Sequence, residues 1–124
     1  MSFTNAGPST TSTNNGQSPF SNLTQIVMLS VNVGTVSAVA ANTTAELTVA
    51  VSGLATTDVV VGVSKPTAQA GLGLVGARVS SAGNLGLTYC NVTSGSITPT
   101  ASEVYSVAVA RPNANLSMTK MPIL

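Results

Sequence analysis

The chain contains no histidine, no tryptophan and a single cysteine, and only 6% of its 124 residues are charged. Each shortage excludes a chemistry. Without histidine there is no His-based triad and no histidine-containing zinc site, and Cys90 alone closes no disulfide within the chain. Four basic residues (Lys65, Arg78, Arg111 and Lys120) leave a formal net charge of +1. Tracking a phosphate backbone takes clustered Lys and Arg, so nucleic acid is not expected as a partner. No run of about 18 consecutive apolar residues occurs, so no membrane-spanning helix is expected. The N-terminal residues lack the basic and apolar regions of a secretory signal.

Aromatics are scarce too, at 3%, so a core must be built from Val, Leu, Ile and Ala. Soluble domains usually carry about 25% charged residues; here Ser, Thr, Asn and Gly have to wet the surface instead. Near neutrality leaves little repulsion between molecules and suits a protein that spends its life against neighbours. The length is that of one ordinary domain.

Two regions differ in kind. Residues 1–22 are rich in Ser, Thr and Asn, include Pro8 and Pro19, and carry no charge. Such a segment buries too little apolar surface to order itself and reads as an extended N-terminal arm. Phe3 and Phe20 are its two candidate anchors on a partner. From residue 23 to 124 the dominant signal is period two. Val27, Leu29, Val31 and Val33 alternate with Met28, Ser30 and Asn32, and Leu47, Val49 and Val51 alternate with Thr48, Ala50 and Ser52. Further β-branched runs cover Val59–Val63, Leu74–Val79, Leu85–Tyr89 and Val104–Ala110. This is how half-buried strands look. The spacing predicts an all-β fold, a single β-sandwich (Ig-like or jelly-roll) of six to seven strands over 23–124.

Between the runs lie turn-forming clusters, with Ser81–Asn84 short enough to close a hairpin. Lys65–Gly73 reads as the longest irregular connection, and Val49, Val61 and Leu87 as inward residues at strand centres. The C-terminal stretch from Met118 to Leu124 is apolar for a terminus. Its Met118 and Met121 are further candidate partner contacts, since methionine adapts to irregular surfaces.

A search for catalytic groups finds little. Glu46, Asp58 and Glu103 each fall at the end of a predicted strand, where charges stay hydrated, and no two are placed as a facing pair. Gly71–Gly76 echoes a phosphate loop, but a strand follows it and the spacing is wrong. No loop holds two carboxylates for a metal. Neither enzymatic activity nor a cofactor or metal is expected.

The segments Leu47–Leu54 (LTVAVSGL), Asp58–Pro66 (DVVVGVSKP), Gly76–Ser80 (GARVS), Gly83–Tyr89 (GNLGLTY) and Ile97–Thr100 (ITPT), with Tyr105 after them, carry a resemblance. Together they resemble small β-sandwich virion proteins of tailed bacteriophages, in particular capsid decoration (cement) proteins. That resemblance implies a structural virion protein on the outer surface of the head, bound to the major capsid protein across neighbouring subunits. It also implies a homo-oligomer, with a trimer favoured, and a terminal arm that reaches a neighbour. The alternative is a tail-fibre or adhesin-type module binding a glycan, for which Tyr89 and Tyr105 are the available sugar platforms. A hydrolase or cross-linking domain is disfavoured by the missing histidine and unpaired carboxylates.

Overall fold

The computed structural model describes residues 23–112, and over them the chain forms strands and no helix. The strands are β1 (Leu23–Asn32), β2 (Thr43–Ala50), β3 (Val59–Ser64), β4 (Leu72–Ser81), β5 (Asn84–Asn91) and β6 (Val104–Pro112). They make two three-stranded antiparallel sheets, ordered β1-β6-β3 and β2-β5-β4. The chain divides into two compact units, one spanning Val27–Val109 and one made of Met1–Ile26 with Ala110–Leu124. The first holds both sheets. Of the second, only the outer ends of β1 and β6 fall among the described residues.

Alternation makes the two layers. Val31 on β1, Tyr105, Val107 and Val109 on β6, and Leu85, Leu87 and Tyr89 on β5 form one buried cluster. Leu47 and Val49 on β2 and Val60 and Val63 on β3 pack against it, as do Leu72, Leu74, Ala77 and Val79 on β4. Each fully buried Leu or Val contributes about 1.5–3 kcal/mol relative to exposure. With so few aromatics, the sandwich rests on many such aliphatic increments.

The expected hairpin is present: Ser81 pairs with Asn84 across Ala82-Gly83, and Gly83 takes a φ of 77° that side chains disfavour. Two expectations are corrected. Val61 points outward and is 64% exposed, because the inward positions of β3 are Val60 and Val63, three residues apart. The period of two therefore breaks at Val61-Gly62. Lys65–Gly73 is not the longest connection either. Gly73 already lies in β4, and the segments 33–42 and 92–103 are longer. Those two pair with each other through Val39 and Ile97, whose backbone groups exchange hydrogen bonds of 2.8 and 3.0 Å. That pairing buries Val39 at 1% exposure.

Candidate interaction surface

All three carboxylates serve the fold. Glu46 sits inside β2, not at its end, and takes a bidentate grip from Arg78: Nε to Oε2 at 2.8 Å and Nη2 to Oε1 at 2.9 Å. The two side chains bridge over Gly86 of β5, whose missing side chain leaves their path open. The Arg78 hydrogen bond holds the Glu46 carboxyl below its ordinary range, and the pairing raises Arg78 further. Asp58 is buried, in contrast to the hydrated strand end expected of it. Its Oδ2 accepts from the Ala55 amide at 2.9 Å while its own amide donates to the Ala55 carbonyl at 2.9 Å, so it closes the turn before β3.

Glu103, just before β6, is likewise shielded. The Thr67 hydroxyl donates to its Oε2, and Lys65 Nζ lies 3.1 Å from Oε1. Oε1 makes an ion contact there without an aligned hydrogen bond. Lys65 Nζ spends its donors on the Thr67 carbonyl at 2.8 Å and hydroxyl at 3.0 Å. The Thr67 hydrogen bond first, and Lys65 after it, lower the Glu103 carboxyl. This cluster ties the β3–β4 connection to the start of β6. Among the described residues no three His, Cys, Asp or Glu side chains group as metal ligands.

The tyrosines are interior residues. Tyr89 and Tyr105 are 1% and 0% exposed, and their hydroxyls meet at 2.9 Å across the two sheets. Neither ring offers a sugar platform. Burial raises both hydroxyls above the usual tyrosine value. Asn91, fully buried, donates from Nδ2 to the carbonyls of Val39 at 2.9 Å and Gly95 at 2.7 Å. Its Oδ1 accepts from the Thr93 amide at 2.9 Å and hydroxyl at 2.7 Å, so the whole amide is satisfied.

With the polar interior committed to structure, the open surface decides what the molecule can do. On the β1-β6-β3 sheet the residues facing away from the core include Met28, Val59, Val61 and Val104, exposed at 68, 51, 64 and 52%. Ser30, Asn32 and Ser106 lie among them, and none of residues 27–32, 59–64 and 104–109 is charged. The outer face of the β2-β5-β4 sheet instead carries Thr44, Thr48, Thr88, Gly86 and the Glu46–Arg78 pair. Its one large exposed apolar side chain among the described residues is Val75, at 62%. Val75 sits on a bulge, where the β4–β5 register slips between Leu74 and Gly76. Beside it, β3 and β4, each the last strand in its sheet among the described residues, flank a shallow groove lined by Val60, Val61, Gly62, Val63, Leu74, Gly76 and Ala77.

Phe3, Phe20, Met118 and Met121 lie outside the described residues. Alternation along β1 places Met28 outward, as found, whereas Val61 faces water in place of the expected interior and no sequence signal singles out Val59 or Val104. Three consecutive valines, Val59-Val60-Val61, fit either phase of a strand, so no local signal assigns them a face. Compared with known families, curated proteins and solved structures, the chain matches none.

Proposed function

We propose that this chain is a structural virion protein, a capsid decoration (cement) protein. In this reading it binds the outside of a phage head as a homo-oligomer, with a trimer favoured, and stabilises contacts between neighbouring major capsid subunits without catalysing a reaction. The observation that carries the reading is the apolar outward side of residues 27–32, 59–64 and 104–109, which holds no charged residue, on a small sandwich whose carboxylates are all tied up in its own structure. Unpaired strand edges with few charges invite another protein to cover them, and a cement protein has a permanent cover. The resemblance in strand and turn segments points the same way. The arm anchors Phe3 and Phe20 and the tail residues Met118 and Met121 would add contacts at either end.

Quantitative mass spectrometry of purified virions tests this directly. Hundreds of copies per particle fit a cement protein, and a handful per particle sinks the proposal. Occupancy should also hold as salt rises to about 1 M, because neutral contacts are not screened. Particles lacking the protein should rupture at lower temperature, since a ligand bound only to the assembled shell stabilises it by mass action.

A further inference from the structure

The segment 92–103 is held differently on its two flanks. Along one flank, residues 33–42 grip it by backbone hydrogen bonds. Val39 and Ile97 exchange two, the Asn42 amide donates to the Thr93 carbonyl at 3.1 Å, and the Ser102 amide donates to the Gly34 carbonyl at 2.8 Å. Along the other flank runs the β3–β4 connection, residues 65–71. Its backbone bond to the segment is that of the Val92 amide to the Gly71 carbonyl at 3.0 Å, at the connection's last residue. Nearer its middle, side chains make the hold. Gln69 donates from Nε2 to the Thr98 carbonyl at 3.0 Å and accepts at Oε1 from the Thr100 amide at 3.0 Å. Thr67 and Lys65 both reach Glu103.

None of residues 65–71 is buried, and Pro66, Thr67, Ala68 and Ala70 are exposed. A segment with so little apolar burial and with exposed hydrogen bonds opens at low cost. Its hold on Glu103 depends on charge. The Glu103 side chain is 9% exposed and Lys65, 3.1 Å away, is 14% exposed. Neutralising the carboxylate leaves a shielded ammonium without its counter-ion, a penalty that ends once Lys65 returns to water.

We infer that residues 65–71 form an acid-released strap, clasped by the Glu103 carboxylate and lifting from residues 98–103 when that carboxylate takes up a proton, while both sheets stay folded. The Thr67 hydrogen bond and then Lys65 hold the carboxyl below its ordinary range, so closure is favoured above the free carboxylate value of about 4.3 and lost as pH falls through the clasped value. From β5 and β6 the Tyr89 and Tyr105 hydroxyls also face this charge, and both stay neutral in acid. The other carboxylates lie elsewhere. Glu46 is paired with Arg78 on the outer face of the β2-β5-β4 sheet, and Asp58 closes the turn at the far end of β3.

The test titrates the full-length protein, labelled with 15N, from pH 6 to 2.5 and reads backbone order parameters along the chain. At pH 6, Thr67, Ala68 and Gln69 should sit near the rigid value of about 0.85, and in acid they should drop below about 0.6. Ile97, held by Val39, and the residues of β5 should keep their values throughout. Glu103→Gln removes the charge at nearly constant shape and should show the low values already at pH 6. Glu46→Gln and Asp58→Asn should respond to acid as wild type does. A strap that stays rigid to pH 2.5 overturns the inference. So does one that loosens only together with β5, because that is global unfolding. A strap rigid at pH 6 in Glu103→Gln, or an acid response that vanishes in Glu46→Gln or Asp58→Asn, overturns it in favour of another trigger. If circular dichroism shows that Glu103→Gln does not fold, the wild-type series decides alone.

Discussion

In the β2-β5-β4 sheet the middle strand turns Leu85, Leu87, Tyr89 and Asn91 inward and Asn84, Gly86, Thr88 and Cys90 outward. In the β1-β6-β3 sheet the middle strand turns Tyr105, Val107 and Val109 inward and Val104, Ser106 and Ala108 outward. The inner sides are alike because one core demands the same of both. The outer sides differ: one is capped by an ion pair and small polar residues, the other is flanked by exposed Met28, Val59 and Val61. Packing fixes what faces in, so the difference between the faces carries information about neighbours rather than about folding.

The largest expected effect tests the boundary between inward and outward. Leu87 is fully buried on the central strand, so Leu87→Ala should cost about 2–5 kcal/mol of unfolding free energy. Val61 is as hydrophobic by type but faces water, so Val61→Ala should stay within about 0.5 kcal/mol. Urea titrations of both variants decide it, and comparable losses would erase the distinction between the faces. Next in size comes Asn91→Ala. It removes the buried amide that joins the end of β5 to the Val39 and Gly95 carbonyls and should cost about 2–3 kcal/mol. A loss well under 1 kcal/mol would mean the connections hold without it.

Some of this was legible in the sequence and some was not, for physical reasons. The inward set of β1 (Leu29 and Val31) and the Ser81–Asn84 hairpin follow from local alternation and turn chemistry, which act over a few residues. Val61 faces outward against expectation because the inward positions of β3, Val60 and Val63, are three residues apart, and three consecutive valines give alternation no phase to follow. Burial of Val39 in the connection 33–42 depends on distant Ile97 and Asn91, and the Tyr89–Tyr105 contact depends on the sheets meeting. The apolar outer face is the least legible of all. Met28, Val61 and Val104 lie far apart in the chain and become one surface once β1, β3 and β6 are side by side.

Titration separates the interior from the surface. Tyrosine in the unfolded chain ionises near pH 10, and burial raises both Tyr89 and Tyr105 above their ordinary value. Above about pH 10 the unfolded chain therefore holds fewer protons than the folded one, and stability falls as pH rises toward the folded values. At the acid end the lowered carboxyls of Glu103 and Glu46 act in the opposite sense. Their contribution is present above the unfolded carboxylate value of about 4.3 and is lost as pH falls through the folded ones. Thermal unfolding from pH 2 to 11.5 should show both declines. The alkaline decline should shrink in Tyr89→Phe, and an unchanged one would mean that the hydroxyl pair is not its source.

The smallest effect is expected at Gly86, on the charged outer face. Gly86 is a strand-interior glycine, and alanine there would gain about 0.5–1 kcal/mol from reduced unfolded-state freedom if nothing stood in its way. What stands in its way is the Glu46 carboxylate, which lies where the new methyl would go. That carboxylate is the far end of a flexible side chain, so it can swing aside and give up its bidentate hold on Arg78. An exposed ion pair contributes little to stability and less in salt, so its loss and the alanine gain should nearly cancel. Gly86→Ala is thus expected to leave the melting temperature almost unchanged at low salt and slightly above wild type in 1 M salt, where the pair no longer counts. Melting curves at both salt concentrations provide the check. A loss at Gly86 that rivals Leu87→Ala and persists in 1 M salt would show that this face too is held by close packing, and the contrast between the two sheets would fail.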